Sequence, residues 1–230
     1  MKILVRVIFI CGLLVKVDWL KTVRFNLHYF KLMVALCLPV LVYRRTVFKS
    51  LKGTVTLKSA PKIGMIRLGD PRIGTQDFRY SRTIWQVTGG VFFKSTANFG
   101  RGCSVCVGTR GELVLGDKFS ITGDTTILCK KQIVFGDDCL FSWDIMVMDT
   151  DWHYITDDNG DVINPDSSII FGNHVWVGCR SMILKGSHIP SGSVIAAGSL
   201  ISGKLLKENT VYGGQGKGVV PLKENIIWHH

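Results

Sequence analysis

A six-residue repeat in the C-terminal third of the chain constrains its fold more than any other feature. Large apolar residues recur six positions apart, at Phe171, Val177, Ile183, Ile189, Ile195 and Ile201. A small or slim residue precedes the later ones by two positions, at Val175, Ser181, Ser187, Ser193 and Ser199. Neither an α-helix nor an ordinary strand of period two produces this pattern. It is typical of a parallel β-helix, in which three six-residue units make one triangular coil. The large residues then fill the prism, and the small ones lie near a corner, where a bulky side chain would collide with the next coil.

The same spacing extends upstream. One phase contains Val91, Ala97, Cys103, Thr109, Leu115, Ile121 and Ile127, and after a slip of two positions at Lys130–Ile133 a second phase contains Phe135, Phe141 and Val147. We therefore predict a triangular prism from about 85 to 203. Residues 149–169 are polar and do not follow the repeat, so they are predicted to loop out from one corner. A long irregular loop on a rigid scaffold is usually functional or disordered.

The charge of the chain is concentrated at its N-terminus. Residues 1–70 carry 13 Lys and Arg against 2 Asp and Glu, whereas residues 71–230 carry 15 of each, so the net charge of +11 belongs to the first segment. Such an asymmetry suggests an anionic partner surface, whether phospholipid, nucleic acid or acidic polysaccharide.

The basic segment is also apolar. Its two apolar runs, Val7–Val15 and Leu32–Tyr43, are shorter than the roughly 18 residues that a spanning helix needs. We predict one or two amphipathic helices that lie on a membrane surface, with anchors at Trp19, Phe25, Tyr29 and Phe30. The alternative is that these helices pack on the prism or on a neighbouring subunit, and the two interpretations are compatible.

The seven cysteines are scattered and odd in number, and the single Cys-x-x-Cys pair at Cys103 and Cys106 has no second pair that would complete a zinc site. Cys103 and Cys139 fall on core positions of the repeat, where cysteine acts as a small hydrophobic residue. This usage favours a reducing, cytoplasmic compartment, and the basic, apolar segment 1–70 adds the expectation of peripheral contact at the inner face of the membrane.

Three motifs in the repeat resemble those of the hexapeptide-repeat acyltransferases. They are Val-Trp-Val-Gly at 175–178, Ile-Leu-x-Gly at 183–186 and Val-Ile-Ala-Ala-Gly-Ser at 194–199, all in register. Val211-Tyr-Gly-Gly-Gln-Gly-Lys217 resembles the closing segment of that family, with Gln215 and Gly216 in place of Asn and Pro. Met148-Asp-Thr-Asp-Trp-His153 and the basic, apolar N-terminus resemble a branch that modifies capsular or other cell-surface polysaccharide. The resemblance implies a left-handed β-helix, a homotrimer and an acyl-CoA donor.

The predicted organisation is mainly β. Residues 1–70 form a basic, apolar segment that is predicted to be helical, residues 71–221 form the left-handed parallel β-helix with the protruding loop 149–169, and residues 222–230 form a tail. The resemblance implies acetyl transfer from acetyl-CoA to a saccharide hydroxyl, with no metal and no nucleic-acid partner.

The predicted base for this chemistry is His153, the histidine of the polar loop, since imidazole titrates near neutrality and the resemblance places the family's catalytic histidine there. Asp149 or Asp151 could orient its ring, a backbone carbonyl could do the same, and Asp144 is a further candidate. Two roles are open for Trp176. Either its indole N–H faces the thioester, or its ring packs in the core or at the trimer interface.

The donor is predicted to run along a groove between neighbouring prisms. Its amides would pair with backbone near Gly178 and near Ala196, Ala197 and Gly198, where small residues allow a close approach. Lys185 and Lys204 are predicted either to contact its phosphates or to be solvated surface lysines.

Two other functions remain open from the sequence. One is a non-catalytic β-helix scaffold that binds membrane or another anionic surface. The other is a zinc carbonic anhydrase, which needs three histidine ligands around an open metal position. His153, His174 and His188 lack the close paired spacing expected of such a site.

Overall fold

The computed structural model describes residues 15–71 and 80–230. Its strands lie in three sheets, and consecutive strands of the chain enter the first, second and third sheet in turn. All neighbouring strands pair in parallel except the last two. A path of this kind is a coil with three sides, so the predicted parallel β-helix is confirmed. Its left hand stays a prediction of the resemblance.

The bounds of the elements are as follows. The first sheet contains β1 (Val40–Val42), β4 (Ile66–Asp70), β7 (Ala97–Gly100), β10 (Phe119–Gly123), β13 (Leu140–Trp143), β16 (Trp176–Val177), β19 (Val194–Ile195), β21 (Val211–Gly213) and β22 (Val220–Lys223). The second contains β2 (Thr46–Ser50), β5 (Thr83–Val87), β8 (Ser104–Val107), β11 (Thr126–Cys129), β14 (Met146–Met148), β17 (Met182–Leu184) and β20 (Leu200–Ile201). The third contains β3 (Thr54–Leu57), β6 (Gly90–Phe93), β9 (Glu112–Leu115), β12 (Gln132–Phe135), β15 (Ile169–Phe171) and β18 (His188–Ile189). The described helices are α1 (Trp19–Tyr29), α2 (Leu32–Leu36) and a short 3₁₀ turn (Gly216–Gly218).

The core of the prism consists of columns of inward side chains. Phe141 pairs with Val177, and Val177 pairs with Ile195, so equivalent residues of successive coils lie above one another. The apolar residues predicted for the core from Phe171 to Ile201 are all buried. Six buried phenylalanines continue these columns with ring centroids 4.7–6.3 Å apart: Phe93, Phe99, Phe119, Phe135, Phe141 and Phe171.

In the coils from Phe99 onward, departures from the six-residue spacing lie at the corner between the second and third sheets. Val177 pairs with Ile195, which lies three repeat units further along the chain. Ile121 pairs with Phe141, which lies two positions beyond the end of three such units. The two additional residues lie between β11 and β12, where the sequence slips by two. Thr109, which we predicted to continue the upstream phase, instead lies in the turn between β8 and β9. The loop after β14 leaves from this same corner.

The small residues of the repeat lie where their size is needed. Ser181, Ser187, Ser193 and Ser199 are all buried. The hydroxyl of Ser181 donates to the carbonyl of Ala196 at 3.2 Å, and that of Ser187 donates to the carbonyl of Ile201 at 3.0 Å. Serine therefore fits the narrow corner and also satisfies carbonyl groups of the next coil.

The prism begins earlier than the sequence predicts. β1 to β4 occupy residues 40–70, which we predicted as part of a helical segment, so that boundary is wrong. The reason is that these first coils are longer than three repeat units, and by a different amount each time, as the pairing of Val42 with Leu68 and of Leu68 with Phe99 shows. At such uneven spacing the six-residue pattern cannot be recognised. The other predicted boundary, at residue 221, falls inside β22, which pairs antiparallel with β21.

Helix α1 closes the N-terminal end of the prism. Within residues 15–71 and 80–230, no strand precedes β1 in the first sheet, and an unpaired strand edge exposes hydrogen-bonding groups. Side chains of α1 take the place of the missing strand: Asn26 accepts from the backbone N–H of Val40 at 3.2 Å and donates to the carbonyl of Val40 at 2.8 Å. The hydroxyl of Thr22 likewise accepts from the N–H of Val42 at 3.0 Å.

The aromatic residues that we predicted as membrane anchors have another role. Phe25 is fully buried between α1 and the prism, with its ring 5.5 Å from that of Trp85. Tyr29 accepts a hydrogen bond from the Trp85 indole at 3.3 Å. Other residues are exposed on the two helices: Leu20, Val23, Leu27, Leu32, Met33 and Leu36. Among the described residues, none of the helices has the length and hydrophobicity required to cross a bilayer.

Close stacking of the coils predicts that Gly116→Ala destabilises the prism. A Cβ at Gly116 would lie 2.2 Å from the carbonyl oxygen of Gly136 on the next coil, and backbone at that position cannot give way easily. We expect a loss of about 1–3 kcal/mol in the free energy of unfolding, as for other overpacked sites. Denaturant unfolding measures this, with Gly203→Ala as the control because its Cβ would meet open space. Equal stability of the two variants would contradict the stacking argument.

Candidate functional site

The polar loop begins and ends at the corner between the second and third sheets, because it joins β14 to β15. Its first part turns sharply: Trp152 has a φ of +65°, and its N–H donates to the hydroxyl of Thr150 at 2.9 Å. His153 follows directly and is exposed. The prism therefore presents the predicted base to solvent on an anchored turn.

Asp149 anchors the start of the loop to the coil before it. The residue is fully buried, and its carboxylate accepts hydrogen bonds from the backbone N–H groups of Lys130 at 2.7 Å, Lys131 at 2.9 Å and Gln132 at 2.7 Å. The acceptors of this carboxylate are thus directed at the additional corner residues and not at the His153 ring. We correct its predicted role accordingly: Asp149 holds the corner.

Asp151 lies in an ion pair with Lys185. Its carboxylate also accepts from the side-chain amide of Asn164 at 2.9 Å. The hydrogen bond from Lys185 holds the pKa of Asp151 below its usual value. Lys185 additionally donates to the carbonyl of Asn164 at 2.9 Å, so its ammonium group is engaged with the loop. Lys185 therefore fixes the loop through Asp151 and Asn164, and its predicted contact with the donor phosphates stays a prediction.

Asn164 is a positioning residue that the sequence motifs do not reveal. Besides its bond to Asp151, its amide donates to the carbonyl of His153 at 2.9 Å, and its oxygen accepts from the N–H of Ile155 at 2.6 Å. One side chain from the returning half of the loop therefore holds the backbone on both sides of Tyr154. An asparagine inside a polar loop carries no local signal of such a role, because its partners lie 9–13 residues away.

A cavity of about 380 Å³ lies beside this turn. Trp152 forms one wall, and residues of β5, β8 and the following corner, among them Gln86, Thr88, Cys106 and Arg110, form the other. Lys130 also lines it and places its ammonium group 4.6 Å from the centroid of the Tyr154 ring. The cavity thus combines an exposed aromatic face with hydrogen-bonding groups and positive charge.

Trp176 lies on a different side of the prism from His153. It begins β16 in the first sheet, is 37% exposed, and its indole N–H donates to the hydroxyl of Ser142 at 3.2 Å. The loop leaves from the corner between the second and third sheets, whereas Trp176 lies where the chain passes from the third sheet into the first. The width of the third sheet therefore lies between the two residues. Asp144, the further acidic candidate, is exposed and pairs with Arg180 at 3.5 Å.

The residues predicted to contact the donor divide between two corners. Gly178 follows β16 and Ala196–Gly198 follow β19, so these residues stack on successive coils between the first and second sheets. Gly178 is buried there, and a Cβ on it would lie 2.6 Å from the backbone nitrogen of Ala197. Ala197 and Gly198 are exposed, and Ala196 is half-buried. Lys204 is also exposed, but it follows β20 and lies at the corner that bears the loop.

One curated protein is similar to part of this chain. A polysialic acid O-acetyltransferase of Neisseria meningitidis is 42% identical over 65 residues, which are 28% of this chain and 30% of that protein. The chain thus spans less than a third of this curated relative. The match confirms the resemblance that the sequence motifs indicate. No protein-family model matches the chain.

Solved structures with similar folds were also found. The polysialic acid-specific acetyltransferase NeuO is 22% identical, with 83% of this chain and 79% of that chain covered and a TM-score of 0.48. A hexapeptide-repeat acetyltransferase of Vibrio cholerae, VCA0836, is 21% identical, with 55% and 69% covered and a TM-score of 0.46. The fold assignment itself rests on the strand register of this chain.

The anchoring role of Asp149 predicts that Asp149→Asn loosens the loop. An asparagine side chain has only one oxygen for three backbone amides, and its own N–H would face the others. A buried donor left without a partner costs about 1–3 kcal/mol, so we expect a loss of stability in this range and faster hydrogen exchange in residues 150–168. Asp158→Asn, at an exposed carboxylate of the same loop, is the matched control. Exchange rates that are the same in both variants would refute the anchor.

Proposed function

We propose that this chain is an acyl-CoA-dependent O-acetyltransferase, which transfers an acetyl group to a hydroxyl of a saccharide, in particular a cell-surface or capsular polysaccharide or its precursor. The observation that carries this proposal is the exposed His153, held on the prism by an anchored loop. The similarity to a polysialic acid O-acetyltransferase supports the reaction and the class of acceptor.

The chemistry requires few groups. The neutral imidazole of His153 takes the proton of the acceptor hydroxyl as its oxygen attacks the thioester carbonyl. A hydrogen-bond donor then stabilises the oxyanion of the tetrahedral intermediate. We assign this part to the indole N–H of Trp176, which would exchange its bond to the Ser142 hydroxyl for one to the oxyanion. The carbon–sulfur bond breaks, and the CoA thiolate leaves with the proton that His153 carried. Asp151, Asn164 and Lys185 contribute by holding the turn that bears the base.

The active enzyme in this proposal is a homotrimer. His153 and Trp176 lie on different sides of one prism, separated by the third sheet. A strand of three or four residues spans roughly 10–13 Å, which is too far for both side chains to reach one reacting carbonyl within a chain. A site that uses both residues must therefore take His153 from one chain and Trp176 from its neighbour, with the donor in the groove between them.

The cavity beside Trp152 is the proposed entry for the acceptor. Sugar rings present an apolar C–H face that packs on aromatic side chains and hydroxyl groups that need polar partners. Trp152 is 53% exposed and supplies the aromatic face, while Gln86 and Thr88 supply polar groups. Arg110 and Lys130 suit an acceptor that carries carboxylate groups.

The competing carbonic anhydrase interpretation has no support in the described part of the chain. His153 lies in the loop, His174 in the turn before β16, and His188 on β18 in the third sheet. Among the described residues, these three histidines do not form a group whose ring nitrogens lie close enough together to hold one metal ion.

The proposed reaction predicts that His153→Ala lowers the turnover of acetyl-CoA by about 10²–10⁴, the range of general-base catalysis. Thiol release from acetyl-CoA in the presence of acceptor measures this. His188→Ala is the control, because His188 is an exposed histidine on β18. Activity within threefold of the wild type in His153→Ala would exclude this residue as the base.

The same assay tests the shared site. Chains with His153→Ala and chains with Trp176→Phe, each of low activity alone, are unfolded, mixed in equal amounts and refolded together. Random assembly should restore about a quarter of the wild-type activity, because one site in four then receives both native residues from adjacent chains. No recovery in correctly refolded mixed trimers would mean that one chain supplies both residues.

We also propose that the N-terminal cap, formed by α1 and α2, contacts the cytoplasmic face of the membrane, where both acetyl-CoA and polysaccharide precursors are found. The exposed side chains of α1 and α2 include Leu20, Leu27 and Met33, with Lys21 and Arg24 beside them. This combination suits an interfacial helix on anionic lipid. In a trimer of parallel prisms, the three caps would face the same way. The six described cysteines are free, in keeping with a reducing compartment.

The membrane proposal predicts binding to anionic liposomes that weakens with salt, because exposed charges are screened over about 10 Å at 0.1 M. We expect Met33→Asp to reduce flotation with the liposomes at least about tenfold, since it places a charge in the apolar face. Leu206→Asp is the matched control, because Leu206 is equally exposed but lies at the other end of the prism. No binding by the wild-type trimer at low salt would show that the cap is structural only.

A further inference from the structure

The C-terminal tail folds back onto the prism and forms a cluster with two residues far from it in sequence. His230 lies 3.1 Å from one carboxylate oxygen of Asp138, and His174 Nδ1 lies 2.8 Å from the other. One ligand atom from each of the three residues lies within 4.8 Å of the others. The three side chains are between one third and one half exposed, so an ion from solvent can reach them.

The tail is positioned by Trp228. Its ring stacks on that of His174, with centroids 3.9 Å apart and an angle of 8° between the planes. Its indole N–H donates to the carbonyl of His174 at 2.9 Å. Trp228 is 7% exposed, which means that the tail is packed against the prism and is not a loose end at this position. This packing brings His230 to Asp138.

The hydrogen bonding of His174 determines what the cluster lacks. Its Nε2 lies 3.0 Å from the carbonyl oxygen of Trp228, and a carbonyl oxygen can only accept. Nε2 therefore carries the proton, and in neutral imidazole the other nitrogen, Nδ1, presents a lone pair. That lone pair faces the Asp138 carboxylate, which is also an acceptor. Two acceptors at 2.8 Å need a cation between them, either a proton or a metal ion.

We propose that Asp138, His174 and His230 bind a divalent transition-metal ion of the zinc class, which fastens the C-terminal tail to the prism. Two imidazole nitrogens and a carboxylate are a common ligand set for such ions, with a fourth position left for water. The bond from Nε2 to the Trp228 carbonyl is the outer contact that metal-bound histidines usually make, because it fixes the tautomer and the ring orientation.

The distances are compatible with this ion. Ligand atoms that are each about 2.0–2.1 Å from zinc and 90–110° apart lie roughly 2.9–3.4 Å from one another. The separations of 2.8 and 3.1 Å, each to a different oxygen of Asp138, lie close to this range, and the ligand atoms of all three residues lie within 4.8 Å of one another.

The site also borders the candidate active site. The ring centroid of Trp228 lies 6.1 Å from that of Trp176, the residue assigned to the thioester. An ion that holds the tail would thus keep Trp228 packed beside Trp176. The metal would act through the position of the tail and not on the acetyl group, so the proposal does not depend on the proposed reaction.

Calorimetric titration of the full-length, untagged protein with Zn²⁺ alone tests the site. We expect one saturable ion per chain, and we expect His230→Gln to weaken binding at least about 100-fold, since even loss of an outer contact costs 10–100-fold. His229→Gln is the matched control, because His229 is the adjacent histidine and lies outside the cluster. Asp138→Asn should weaken binding as His230→Gln does. Equal affinities of the His229 and His230 variants, or no saturable binding, would overturn the proposal.

Hydrogen exchange of residues 224–230 gives a second readout that distinguishes a metal from a proton. We expect Zn²⁺ to slow exchange of the tail in the wild type and in His229→Gln but not in His230→Gln. If the tail is equally protected with and without Zn²⁺, the cation between Asp138 and His174 is a proton, and the metal proposal is wrong.

Discussion

The structure depends on the parallel register between successive coils. Each strand pairs with the strand one coil away, so an inward residue such as Val177 lies between its equivalents Phe141 and Ile195. A slip of one residue would turn a whole column of apolar side chains outward. The register also fixes the small residues, because the stacked corners bring backbone to within 2.2 Å of where a Cβ of Gly116 would lie. Within these limits the chain can vary only by adding residues at corners.

The candidate site uses this freedom. The corner between the second and third sheets carries insertions on successive coils. The insertion after β14 is the loop that contains the candidate catalytic residue. The buried carboxylate of Asp149 binds the additional backbone amides of the previous coil, so the loop starts from a rigid point. Asp151, Asn164 and Lys185 then fix the turn that presents His153. The prism is a support, and the loop contacts decide where the base is.

Each end of the prism needs a device that protects the last strand edge. At the N-terminal end, Thr22 and Asn26 of α1 supply hydrogen bonds to β1, and the helix turns a second apolar face outward. At the C-terminal end, β22 reverses direction and pairs with β21, after which the tail returns to His174. Both devices bring unusual side chains to the surface. They are therefore the places where we propose membrane contact and metal binding.

The sequence by itself determined the prism, its core columns and the position of the polar loop with His153. Coils of equal length that stack on one another place an inward apolar residue at regular intervals, and this period is visible in the sequence. The first coils could not be recognised in this way, since the separation of the paired residues Val42 and Leu68 is not a multiple of the repeat and the period is lost. Only the tertiary structure decided the contacts of Asp149, which binds three backbone amides, and of Lys185, which holds the loop. It also decided that His153 and Trp176 lie on different sides, and that His230 reaches Asp138 across 92 residues of chain. These relations depend on which corner each residue occupies, and a local pattern does not encode a contact between distant coils.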